Sequence, residues 1–125
     1  MARAKVIRVG PILLTTTLTT NLVNCHLTSL AGPVGITSVT QPMIIGGHVR
    51  IVNRTGTSAT FSLWLGASGA NLLGTEIIGS GSGIPANLWF DWYSSLPIFD
   101  TDYLVGGAGT ANALIFTMTG LLEFQ

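Results

Sequence analysis

The sequence predicts an all-β chain, an antiparallel β-sandwich that is jelly-roll-like and has about eight strands. Three observations carry this. First, residues alternate with a period of two in runs such as Ala59–Leu65 and Leu88–Tyr93, where a helix would need a period of 3.6. Second, clusters of Gly, Pro and Asn punctuate the chain at short intervals. Third, no stretch carries the apolar stripe of a helix. Short strands separated by such turns are the pattern of a sandwich or barrel, and at eight strands a jelly roll fits.

Taken in order, residues 1–11 read as an extended basic N-terminal arm, and residues 12–125 as a single β-sandwich domain. Ile12–Leu30 is rich in Thr, Leu, Val and Asn, which suits one or two strands. Ala31-Gly32-Pro33 is turn chemistry, and Val34–Ile45 holds a further strand with Pro42 near its end. Gly46-Gly47 is expected to turn the chain into a hairpin, Val49–Leu65. Its turn is Asn53-Arg54-Thr55-Gly56-Thr57, where Asn and Gly tolerate positive φ. On its second strand Ala59, Phe61, Leu63 and Leu65 share one face.

Gly66–Asn71 reads as a loop, Leu72–Ile78 as a short strand, and Gly79-Ser80-Gly81-Ser82-Gly83 as a flexible connector. Leu88–Tyr93 is a strand with aromatic rings on both faces. Leu88, Phe90 and Trp92 share one side, and Trp89, Asp91 and Tyr93 the other. One side should enter the core and leave the other as a contact surface. Ser94-Ser95-Leu96-Pro97 and Gly106-Gly107-Ala108-Gly109 read as turns around a short strand, Tyr103–Val105. Asn112–Thr119 is the last long strand, followed by a short tail, Leu121–Phe124.

Composition narrows the function. Of 125 residues, 47% are hydrophobic and only 8% charged, and five basic residues balance five acidic ones. Ordinary soluble domains carry about 25% charged residues. So sparse a charge is easier to understand in a subunit whose surface is covered by neighbours. No formal charge occurs from Val9 to Val49, but Thr and Asn interrupt that run and Gly-Pro and Gly-Gly pairs break it. A spanning helix is therefore not expected. Arg3, Lys5 and Arg8 supply three of the five basic groups. With zero net charge and no interleaved aromatics, they do not suggest nucleic acid and instead fit contact with a neighbouring subunit.

Catalytic and metal signatures are thin. Cys25 and His26 are adjacent, so on a strand they point to opposite faces; Cys25 with His48 has no supporting motif. Gly79–Gly83 lacks the Gly-Lys-Ser/Thr ending of a phosphate loop. Asp100 and Asp102 could offer two oxygens to calcium, but capping of a turn explains them with fewer assumptions. Asn53-Arg54-Thr55 matches a glycosylation acceptor, although the turn already accounts for Asn53. The expected catalytic, cofactor and metal sites are none. The candidate interface residues are Arg3, Lys5, Arg8, Trp89 and Tyr93.

The runs NRTGTSATFSLWLGASG, LWFDWY and DTDYLVGGAGTANALIFTMTGLL resemble small β-sandwich structural proteins of tailed bacteriophages, many of them capsid decoration or cement proteins. The resemblance spans residues 49–121. Where that family often has a Pro-Ala-Gly turn, this chain has Gly46-Gly47-His48, and residues 12–45 have no counterpart. The resemblance implies a non-enzymatic, virion-bound homo-oligomer, dimer or trimer, on the outer capsid surface, with the major capsid protein as partner and no membrane or cofactor. The alternatives are a tail or head-fibre-base component, or a host- or carbohydrate-binding jelly roll using Trp64, Trp89, Trp92 and Tyr93. A hydrolase is the least supported by the residues present.

Overall fold

A computed structural model describes residues 3–25, 43–72 and 75–124. Among these the chain forms eight strands: β1 (Arg3–Leu13), β2 (Asn21–Val23), β3 (Met43–Asn53), β4 (Ala59–Gly66), β5 (Glu76–Ile84), β6 (Trp89–Ile98), β7 (Tyr103–Ala108) and β8 (Leu114–Phe124). β1 pairs with β8, β2 with β7, β3 with β6 and β4 with β5, all antiparallel. The chain is thus one long hairpin, with β1–β4 as one arm and β5–β8 as the other. Rolling that hairpin lays β3 beside β8 and β4 beside β7. The result is two four-stranded sheets, β1-β8-β3-β6 and β2-β7-β4-β5. This is the double-sheet jelly roll expected from the sequence.

The core lies between the sheets. Ile7, Val9, Ile44, Ile51, Phe116 and Met118 from one sheet meet Leu22, Phe61, Leu63, Ile84 and Leu104 from the other in a single buried cluster. Phe61 and Phe90 tilt against each other across the gap, centroids 5.2 Å apart. The alternation along β4 places Ala59, Phe61 and Leu63 inward as expected.

Several expectations need correction. Residues 3–11 are not an arm that precedes the sheet: they make up most of β1, paired with β8 from Arg3↔Phe124 onward. Backbone ladder bonds satisfy the groups that a free arm would leave to water. Val49–Leu65 is not a hairpin, because β3 and β4 lie in different sheets and residues 54–58 cross between them. Gly46-Gly47 is not a turn but a β-bulge inside β3. Gly46 opposes Gly120 and His48 opposes Thr119, so Gly47 is the extra residue. The bulge switches parity: Ile44 and Gly46 point inward before it, Val49, Ile51 and Asn53 after it.

Gly79–Gly83 also belongs to a strand, β5, with register shifts against β4 and positive φ at Gly81. Ser94–Pro97 continues β6, and Gly106–Ala108 completes β7. Gly106 reads like a turn residue but is needed for close approach. A Cβ there would strike the Ser62 carbonyl and the Leu63 side chain. β8 runs unbroken through Gly120, so no separate tail strand exists. The turn expected at Ala31–Pro33 and most of the strand expected over Val34–Ile45 lie outside the described residues.

One buried side chain closes the end of the sandwich where residues 54–58 cross between the sheets. Asn53, 1% exposed, donates through Nδ2 to the carbonyls of Thr57 (2.8 Å), Ile84 (3.0 Å) and Pro85 (3.2 Å). Its Oδ1 accepts from the Thr55 backbone N–H (2.9 Å) and hydroxyl (2.7 Å). Its own backbone N–H donates to Leu88 O, and Arg54 N–H donates to Ala113 O. The glycosylation reading is corrected by the same contacts, since the folded chain holds this amide inside.

Asn53→Ala should lower unfolding free energy by about 2–4 kcal/mol in urea denaturation, because several buried carbonyls lose their donor. Gly106→Ala should cost about 1–3 kcal/mol through overpacking. Gly56→Ala, in open space, should stay within about 0.5 kcal/mol.

Candidate interaction surface

The outer face of the β1-β8-β3-β6 sheet follows from the pairing registers. Alternate residues point away from the core, and cross-strand partners line up in rows. One row is Leu13, Ile115, Val52 and Trp89. The next is Thr117, Arg50 and Asp91, followed by Arg8, Thr119, His48 and Tyr93. Beyond these lies Val6, Leu121, Ile45 and Pro97. Two polar rows are therefore flanked by two apolar ones.

Nine large hydrophobic residues are exposed among the described residues, and five stand on this face: Val6 66%, Leu13 37%, Trp89 54%, Tyr93 71% and Leu121 39%. The sequence left open which aromatic side of β6 enters the core. The structure packs Phe90 and Trp92 against the core and leaves Trp89 and Tyr93 outside. Trp64 is 5% exposed, and its indole Nε1 has no hydrogen-bond partner. Only two of the four rings expected to serve a glycan surface are thus available to one.

The exposed rings are held in place. Asp91 accepts from Arg50 Nε (2.8 Å) and a terminal Arg50 nitrogen (3.0 Å), and its Oδ1 lies 2.8 Å from His48 Nε2. His48 stacks on Tyr93 with centroids 4.4 Å apart and planes 5° from parallel. The Arg50 guanidinium sits over the Trp89 ring at 5.6 Å. A continuous chain of contacts runs Tyr93–His48–Asp91–Arg50–Trp89. Hydrogen bonds from Arg50, then His48, hold the Asp91 carboxyl well below the usual carboxylate range, and the Asp91 bond raises Arg50 in turn. No sequence motif announced this cluster. Its members are 41 and 43 positions apart, and only the β3–β6 register joins them.

The other expected site residues fall elsewhere. Arg3 opens β1. Arg8 stands on the outer face, while Lys5, opposite buried Leu122, takes the inward parity of the edge strand. Cys25 is buried, its thiol donating to Ile98 O at 3.2 Å, and burial pushes its pKa up to about 11. His48 is on the far side of the sheet from that core, so the two do not meet. His26 lies outside the described residues. Asp102 caps a turn, accepting from Phe99 N–H at 3.1 Å. Among the described residues no group of three or more His, Cys, Asp or Glu is placed to hold a metal, and no helix is long and apolar enough to cross a membrane.

Among the described residues these features define an eight-stranded jelly roll with one partly apolar, exposed sheet face. No family model matches the chain, and no curated protein matches it. Among solved structures, it is similar to a chain in the structure of infectious bursal disease virus, Gt strain, with TM-score 0.38 and 13% identity. A chain from the Gx strain gives TM-score 0.31 and 9% identity. Each comparison covers 98% of this chain and 31% of the other, so the chain spans under a third of their length.

Asp91 gives a pH prediction with a definite sign. Its folded pKa lies below the unfolded value of about 3.9. Its stabilising contribution is therefore complete above that value and is lost as pH falls through the folded one. The denaturation midpoint of the native chain should fall more steeply than that of Asp91→Asn between about pH 5 and about pH 2. Parallel curves would show that the ion pair contributes nothing.

Proposed function

We propose that the protein is a non-enzymatic structural subunit of a virion, a capsid decoration or cement protein on the outer surface of the shell whose partner is the major capsid protein. The observation that carries this reading is the exposed sheet face, where Val6, Leu13, Trp89, Tyr93 and Leu121 stand together on a chain with few charges. Large apolar side chains gathered at the two ends of one exposed face, with the Arg50–Asp91 and Arg8–Tyr93 rows between them, mark a contact site between proteins. Trp, Tyr and Arg are the residue types that dominate binding energy at such sites. The jelly-roll topology and the resemblance of residues 49–121 to phage decoration proteins support the same reading.

Arg8, Trp89 and Tyr93 are the proposed contact residues on this face. Arg3 and Lys5 belong to the edge strand beside it, where charges also discourage unwanted strand pairing. A tail or fibre-base position would use the same face. The carbohydrate-binding alternative keeps Trp89 and Tyr93 but has Trp64 buried and Trp92 partly buried against the core.

The test is made on particles. Shells purified without the protein should rupture several degrees lower than complete ones in a thermal scan followed by dye uptake, and adding the protein back should restore the difference. Equal heat resistance with and without it would reject the cement role.

A further inference from the structure

We infer that the outer face of the β1-β8-β3-β6 sheet is covered by a second copy of this chain, related by a two-fold axis parallel to the strands and running between β8 and β3. The row pattern is self-complementary under that operation. The axis sets β1 against the partner's β6, and β8 against the partner's β3, without changing rows. Leu13 then faces the partner's Trp89, and Ile115 the partner's Val52. Val6 faces the partner's Pro97, and Leu121 the partner's Ile45. Both apolar rows land on apolar rows.

The polar rows agree as well. Arg8 meets the partner's Tyr93, whose ring is held upright by His48 and is 71% exposed. Thr117 meets the partner's Arg50 and Thr119 the partner's His48, while Glu123, near the end of the sheet, lies against the partner's Met43 without a polar partner. No cation faces a cation. The other in-plane axis, perpendicular to the strands, would set Arg50 against the partner's His48. An isologous contact of this kind closes on itself and leaves no open end.

The size is also suitable. Four strands spaced about 4.8 Å apart, at about 3.3 Å per residue, offer roughly 700 Å² over eleven residues, the length of β1, β3 and β8. A standard interface needs about 800 Å² per partner. The locked planes of Trp89 and Tyr93 reduce the ordering cost of association.

The inference deepens the shell reading in one respect. The face that marks the chain as a subunit of an assembly is then taken up by the second copy, and contact with the shell passes to the outward β2-β7-β4-β5 sheet of each chain, so that the dimer can bridge two shell subunits. The dimer itself is independent of the shell and is tested on the purified full chain.

The test is disulfide trapping. Within one chain β1 and β6 lie three strand spacings apart, about 14 Å, too far for a disulfide. Leu13→Cys/Trp89→Cys should therefore form a covalent dimer on mild oxidation, at least tenfold more than either single variant, while light scattering gives the native chain twice its monomer mass. Because Trp89 is itself a contact, Val6→Cys/Pro97→Cys serves as a second pair and should behave alike. Buried Cys25 does not compete. A monomeric native chain, or equal cross-linking in the single variants, overturns the dimer. A monomer that still protects particles rejects this inference and leaves the shell reading standing. A trapped dimer that does not protect particles does the reverse.

Discussion

The buried amide of Asn53 is the constraint on which the rest of the fold depends. In a rolled hairpin every connection except β4–β5 crosses from one sheet to the other, and three of the crossings at the Asn53 end are at residues 54–58, 85–88 and 109–113. Crossing backbone leaves its ladder, so its polar groups need other partners or must face water. Asn53 supplies both kinds of partner at once. Its two N–H bonds serve carbonyls from the first two of these three, and its oxygen takes two donors from Thr55. Asp would lack the donors, and Gln would be longer by one methylene in a closed site. Arg54 extends the tie to the third crossing, its Nε donating to Asn112 O at 3.0 Å. Asn87 and Asn112 take positive φ in the adjoining turns, which Asn tolerates better than most residues.

From that closed end the surface chemistry follows by register. The bulge at Gly46–His48 lets β3 bury Ile44 on one side of it and Ile51 on the other. If Gly47 took a regular place in the ladder instead of bulging, strict alternation would turn His48 and Arg50 inward and Val49 and Ile51 outward, and two polar groups would enter the core. The bulge is therefore what puts His48 and Arg50 on the outer face opposite Tyr93 and Asp91. The edges of this sheet are managed differently. β1 carries Lys5, Arg8 and a register break at Gly10-Pro11, devices that discourage pairing along the edge. Contact through the face, rather than through the edge, is what this arrangement leaves open.

The legible parts of the fold were those with strong alternation. Ala59–Leu65 and Phe90–Tyr93 announced their faces, because one residue in two had to be apolar to reach the core. The glycine runs at 46–47 and 106–109 read as turns, and that at 79–83 as a flexible connector, yet all three include strand residues, and different needs removed their side chains: a bulge at Gly47, positive φ at Gly81 and close packing at Gly106. Glycine frees the backbone in turns, but it also permits close packing where a Cβ would collide, as at Gly106 and Gly107. A sequence records only the missing side chain and not which need removed it. Likewise Asn53 looked like a turn residue, and its hydrogen bonds to residues 31 and 32 positions away could not be foreseen from local pattern. Among the interface candidates, Trp89 and Tyr93 were legible through parity. Arg50, His48 and Asp91 were not, because nothing in the sequence fixes which strands pair.

The His48–Asp91–Arg50 cluster is better understood as a positioning device than as a source of stability. Exposed ion pairs contribute little to folding, since water solvates the separated charges nearly as well. Yet the cluster fixes two large rings that would otherwise sample several rotamers. His48 lies parallel to Tyr93, and Arg50 covers one side of Trp89, so each ring keeps a defined plane. A ring already ordered loses less entropy when a partner covers it. Trp89 and Tyr93 are four residues apart on β6, about 13 Å along the strand, so the two anchors span much of the face. Two of the chain's ten charged residues, Arg50 and Asp91, are used to hold these anchors still. This choice makes sense for a surface that must be met by another protein and gives no advantage to a face meant only for water.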